Sequence, residues 1–230
     1  MEKDAFSTPF ALGENFELLK NWKERFEKRS FENIQYLIRY PKNYQAGNQY
    51  PILFYFHGSG SRGTDVECLK KNDYFILENI HEGLPFISIA PQCHEDSWFE
   101  MWETVKKFVQ EVTGFDFCDH SRVYVTGVSM GGYAAWQIGM SLPWMFAAMV
   151  PVCGGGMYWN AERLRNIPIR AFHGEKDDIV RVRESENMVN AIKGVGGNAT
   201  LTVVPNVGHN VWLNVYSNIE IFQWLLVHKK

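Results

Sequence analysis

Ser129 lies in Gly-Val-Ser-Met-Gly-Gly, residues 127–132. A serine hydroxyl attacks a carbonyl carbon only when it is presented to a base and held in one orientation. The apolar run Val123–Gly127 predicts a strand before it, and Gly131–Leu142 predicts a helix after it. A sharp turn between the two would project Ser129 above a sheet. Gly127 and Gly131, without a Cβ, relieve the crowding of strand against helix that such a turn creates. The N–H of Met130, at the positive end of the helix, would then face an oxyanion developing on the substrate. A chain of this length would contain Gly-x-Ser-x-Gly by chance about one time in ten, so the chemistry needs partners elsewhere.

Those partners are an acid and a base, in the chain order nucleophile, acid, histidine. His-Gly-Glu-Lys-Asp-Asp, 173–178, follows the predicted strand Pro168–Phe172 and offers Asp177 and Asp178. Either could serve, and either could be a solvated turn residue. Val-Gly-His-Asn, 207–210, falls between the predicted strand Thr200–Val204 and the last helix, which makes His209 the candidate base. His57 and His173 each begin a His-Gly pair at a strand end and are expected to brace loops. His81, His94 and His120 all precede Ser129, and His228 is in the tail.

A second oxyanion donor is expected from His57–Gly60, at the N–H of Ser59, with Gly60 as the alternative. Loss of one such donor typically costs about 3–4 kcal/mol of transition-state stabilisation. Trp98 and Trp212 are candidates for lining a substrate pocket, although aromatics at helical spacing are more often core. The acids beside His94 and His120 match no common metal-site spacing, so neither a metal nor another cofactor is expected.

Apolar runs alternate with helical patterns throughout, the signature of a three-layer α/β sandwich with a mostly parallel central sheet and helices on both faces. Further strands are expected at Asn33–Arg39, Pro51–Phe56, Phe86–Ala90 and Ala147–Cys153. Further helices are expected at Glu14–Lys28, Asp65–Asn79, from Trp98 to about Val112, at Val182–Lys193 and at Val211–Val227. The Cys153–Pro168 connection has room for one small helix and none for a large lid domain. Residues 1–230 are read as one domain, with 1–30 as a helical extension.

A formal net charge of −3 gives no strong attraction to nucleic acid. The longest apolar run, Met145–Cys153, is too short to span a bilayer, so no stable membrane insertion is expected. The N-terminus lacks a basic start followed by an apolar stretch, which points to the cytoplasm. Four scattered cysteines are read as reduced. The oligomeric state is left open.

The segments His57–Asp65, Ala90–Cys93, Gly127–Trp136, His173–Val180 and Gly208–Trp212 together resemble the α/β-hydrolase superfamily. The resemblance covers most of the chain and is strongest to the compact carboxylesterase, phospholipase-like and feruloyl-esterase-like branch, which borders the prolyl-oligopeptidase-like hydrolases. In such proteins the acid is the fourth residue after the histidine of His-Gly-x-x-Asp, which selects Asp177. The chain departs from the pattern at His94 and Asp178, where proline is common. The resemblance implies a serine hydrolase that cleaves a small-molecule carboxylic ester through Ser129, His209 and Asp177, by way of an acyl-enzyme. A peptidase or amidase using the same residues is the alternative, and a non-catalytic binding protein on the same fold is a third.

Overall fold

A computed structural model describes residues 25–81 and 83–230. Its centre is an eight-stranded sheet in the order β1-β2-β4-β3-β5-β6-β7-β8. The strands are β1 (Phe26–Phe31), β2 (Ile34–Arg39), β3 (Tyr50–Phe56), β4 (Ile87–Pro91), β5 (Cys118–Val128), β6 (Ala148–Val152), β7 (Ile169–Gly174) and β8 (Ala199–Val204). From β4 across to β8 every pairing is parallel; β1 and β2 pair antiparallel at one edge. The fold is the α/β-hydrolase fold.

The alternation of side chains along a strand explains the two cores. On β3, Ile52, Phe54 and Phe56 face one side and Leu53 and Tyr55 the other, and all are buried. The first face packs on helices α2 (Trp102–Thr113), α3 (Met130–Ser141) and α4 (Arg183–Gly194) through Phe108, Ala134 and Met188. The second packs on α1 (Asp73–Ile80), α5 (Trp212–Tyr216) and α6 (Ile219–Leu226) through Tyr74, Val215 and Phe222. A strand covered on both faces must be apolar at every position, which is why β3 reads as one continuous hydrophobic run. α1 is further tied to the sheet by a buried ion pair between Arg39 of β2 and Glu78.

Three expected elements differ. The expected helix Glu14–Lys28 lies mostly outside the described residues, but its end, Phe26–Lys28, belongs to β1. Hydrogen bonding along β2, from Phe26–Arg39 to Phe31–Ile34, outweighs the helical spacing. The expected helix Asp65–Asn79 is a 3-10 segment, Val66–Lys71, followed by α1. Asn72 divides them, its Oδ1 accepting from the Tyr74 N–H and the Tyr55 hydroxyl. The expected last helix is α5 and α6, separated at Asn218, whose side chain caps the Glu220 N–H. The β6–β7 connection carries one short 3-10 segment, Tyr158–Leu164. Among the described residues, no helix is long and apolar enough to cross a membrane.

Candidate active site

The carboxyl ends of β3, β5, β6, β7 and β8 converge on Ser129. Its backbone has φ 54° and ψ −119°, a left-handed conformation that a non-glycine residue adopts only when its surroundings impose it. Here the imposition is steric. A Cβ at Gly127 would collide with the Gly131 carbonyl, and one at Gly131 with the Phe56 carbonyl. Strand, turn and helix therefore meet backbone to backbone, and Ser129 is lifted clear at the start of α3. Gly132 was not singled out by sequence reasoning, yet it does the same work on the next strand. A Cβ there would collide with the Val152 carbonyl, and Gly154 lies against it from the β6 side.

The loops after β7 and β8 are held together in the same way. A Cβ at Gly174 would strike the Gly208 carbonyl, and the Lys176 N–H donates to the Val207 carbonyl at 2.8 Å. This contact carries Asp177 to His209. His209 Nδ1 lies 2.7 Å from Asp177 Oδ2, and His209 Nε2 lies 2.8 Å from Ser129 Oγ. A carboxylate only accepts, so Nδ1 carries the proton and Nε2 presents its lone pair to the serine hydroxyl. The other oxygen of Asp177, Oδ1, accepts from the N–H groups of Ile179 at 3.0 Å and Val180 at 2.9 Å. The Asp177 side chain is fully buried, whereas Asp178 is exposed. The three residues expected to do the chemistry are thus in one hydrogen-bonded line.

The loop carrying Ser59 lies over Ser129. A Cβ built on Gly58 would stand 3.5 Å from Ser129 Cβ. Ser59 opens a short 3-10 turn, Ser59–Ser61, and Met130 opens α3. First-turn N–H groups have no partner within their own helix, so both are free to point at an acceptor. His57 anchors this loop. Its Nδ1–H donates to the Gly58 carbonyl at 2.7 Å and its Nε2 accepts from the Cys93 N–H at 3.0 Å. Burial pushes the His57 pKa down to about 4, which keeps the ring neutral in this arrangement.

Trp98 does not line a pocket. It is completely buried, edge-on to Phe56 at 5.0 Å, and its indole N–H donates to the His57 carbonyl at 3.1 Å. Helical spacing brought it into the core, where it supports the loop from beneath. Trp212 is half-buried and stands at 89° to the His209 ring, 5.6 Å between centroids, with its N–H bonded to Asp73 at 2.9 Å.

Among the described residues, one cluster offers metal-type donors together: Cys153, Asp177 and His209. Burial raises the Cys153 thiol to about 12, and Asp177 and His209 are already bonded to each other. The donor set therefore fits proton transfer better than it fits a cation.

The chain as a whole is similar to a known group of proteins. The model of the phospholipase/carboxylesterase family matches residues 86–223, more than half of the chain. The chain belongs to that family. A bifunctional acetylxylan esterase/xylanase, XynS20E, from Neocallimastix patriciarum is 23% identical over 145 residues, 60% of this chain. The chain spans only 21% of that relative's length. The crystal structure of a thermostable esterase is similar with a TM-score of 0.81 at 29% identity, covering 90% of this chain and 64% of that one. Est1E from Butyrivibrio proteoclasticus has a TM-score of 0.67 at 12% identity, covering 88% of this chain and 99% of that one, a likeness of fold alone.

Proposed function

We propose that this protein is a serine hydrolase that cleaves carboxylic esters of small molecules, with Ser129 as nucleophile, His209 as general base and Asp177 as its partner. The observation that carries this reading is the unbroken hydrogen-bond line from Asp177 through His209 to a strained Ser129. Ser129 attacks the acyl carbon as its proton passes to His209 Nε2. Asp177 holds the Nδ1–H tautomer and stabilises the imidazolium that forms. The oxyanion is bound by the N–H groups of Met130 and Ser59. His209 then gives its proton to the leaving alcohol, and water, deprotonated by His209, hydrolyses the acyl-enzyme. No cofactor takes part in this scheme.

Family membership and the thermostable-esterase likeness support an ester rather than an amide as substrate. The name of the Neocallimastix relative makes an acetylated sugar polymer a substrate to include in any survey. The free thiols of Cys68, Cys93, Cys118 and Cys153 suit a reducing compartment, in keeping with the cytoplasm.

The test is hydrolysis of a short-chain activated ester and its matched amide, with Ser129→Ala as blank. The reading expects fast ester cleavage, weak amide cleavage and a loss of roughly 10⁴-fold or more in the variant. Amide cleavage as fast as ester cleavage would make the protein an amidase or peptidase. Turnover that survives Ser129→Ala would remove the proposed mechanism.

A further inference from the structure

Asp177 has a second histidine. His173, at the end of β7, is wholly buried, and its Nε2 lies 3.2 Å from Asp177 Oδ2, the same oxygen that His209 engages. The same nitrogen lies 2.7 Å from the Val180 carbonyl. Both neighbours of Nε2 are acceptors, so Nε2 must carry a proton. On the other side of the ring, Nδ1 lies 2.8 Å from Ser185 Oγ on α4, and Ser185 Oγ lies 2.8 Å from the Gly154 carbonyl beyond β6. These groups form a contiguous polar run, Gly154–Ser185–His173–Asp177–His209–Ser129, in which the His173 Nε2–H is bonded to the Val180 carbonyl and Asp177 Oδ2 lies 3.2 Å away as a second, longer contact. It links the loop after β6, α4, the loop after β7 and the loop after β8.

We propose that His173 is a positioning residue for the reaction. On this proposal its Nε2–H, bonded to the Val180 carbonyl, is shared as a weaker three-centre donor with Asp177 Oδ2 at 3.2 Å, holding that carboxylate on His209 and limiting its basicity. The proposal rests on the catalytic roles given above to Asp177 and His209. Its consequence follows from simple electrostatics. A carboxylate that loses a donor becomes a stronger acceptor for its remaining one, and it stabilises the protonated form of His209 more. His209 would then hold its proton to higher pH, and less of the enzyme would carry a free base. Burial itself lowers the pKa of His173, so the ring stays neutral where the reaction runs. The other groups facing this cluster are Cys153 beyond β6, Tyr133 of α3 and Glu184 of α4. After burial itself, Glu184 and Asp177 raise the Tyr133 hydroxyl, and Asp177 adds to the rise of the Cys153 thiol.

Two substitutions separate the two sides of the ring. Glutamine places its amide nitrogen as many bonds from Cα as His Nε2, so His173→Gln keeps the donor to Asp177. Asparagine reaches only as far as Nδ1, so His173→Asn keeps the Ser185 side and loses the Asp177 side. Initial rates would be measured against pH on the activated ester, normalised to active sites by burst titration, with melting temperature followed alongside. For His173→Asn the expected result is a fall of about tenfold in kcat with KM little changed, the loss of one hydrogen bond to a charged group. The acid limb of kcat/KM would move up by roughly half to one pH unit. His173→Gln would restore both. An acid limb that stays in place in His173→Asn, or is not restored in His173→Gln, would overturn the proposal and leave His173 a structural brace.

A second measurement needs neither a variant that folds nor any activity. Nitrogen-15 NMR of the histidine rings in the wild-type chain reads which nitrogen of His173 carries the proton. Protonated Nε2 at neutral pH is expected, and unprotonated Nε2 would overturn the proposal. Because this readout does not depend on hydrolysis, a failure of the esterase reading and a failure of the His173 proposal give different results.

Discussion

The ends of β3 and β7 look alike in sequence and do different things. Each closes on a His-Gly pair, His57–Gly58 and His173–Gly174, and each histidine is fully buried. At β3 the ring meets one acceptor and one donor, the Gly58 carbonyl and the Cys93 N–H. It is a neutral bridge between two loops, protonated at Nδ1. At β7 the Nε2 side meets two acceptors, one of them Asp177, so the proton is on the opposite nitrogen. The same dipeptide thus takes opposite tautomers. What differs is the neighbour: a backbone amide at one site, and at the other a buried carboxylate in line with His209 and Ser129. Burial alone does not make a histidine functional; the donors and acceptors around it do.

The comparison can be broken or sharpened by substitution. The largest effect is expected from Asp177→Asn, which leaves the shape of the β7 loop and removes the charge. On the proposed mechanism kcat should fall by about 10⁴-fold, measured on the activated ester; a loss below tenfold would mean that another carboxylate serves.

Next comes the pair of histidines themselves. His173→Asn is expected to move the acid limb of kcat/KM, as argued above. His57→Gln, which retains an acceptor for the Cys93 N–H, should leave that limb in place even if loop distortion lowers the rate. If both substitutions move the limb equally, the distinction between the two sites fails.

His57 should show itself in stability instead. Its folded pKa of about 4 lies below the ordinary 6.5, so as pH falls below 6.5 the unfolded chain takes up the proton first. Stability from this group is fully present above pH 6.5 and declines toward pH 4, by about 3 kcal/mol in all. Denaturant melts at several pH values should find a shallower decline in His57→Gln than in the wild type. His81 and His173 contribute with the same sign, so the slope should flatten without vanishing.

The smallest effect belongs to Asp178→Asn. This residue neighbours Asp177 but is exposed, and both rate and stability should stay within about twofold and 0.5 kcal/mol of wild type. A large loss would move the acid from Asp177 to its neighbour.

Much of this was readable from the chain. The strand–turn–helix context of Ser129 follows from apolar runs on either side of Gly-Val-Ser-Met-Gly-Gly, and the positions of His209 and the acidic pair follow from chain order. These signals are local: short glycine-bounded segments whose geometry depends on their own residues. The choice of Asp177 over Asp178 came only from resemblance to a family pattern, and burial of the first and exposure of the second now give it a physical basis.

The losses have one cause, contacts between residues far apart in the chain. The first half of β1, Phe26–Lys28, falls within the expected helix Glu14–Lys28 because Phe16, Leu19, Trp22 and Phe26 recur at helical spacing, and only pairing with β2 shows Phe26 as a strand residue. Trp98 was a pocket candidate until its burial on Phe56 and His57 placed it in the core. Gly132 and Gly154 approach each other across the β5–α3–β6 crossover, and nothing near either in the sequence announces it. Residue types and spacing determined which groups could act as nucleophile, base and acid. The tertiary structure alone decided which polar atoms face which, because a tautomer or a close backbone approach depends on partners that only folding brings together.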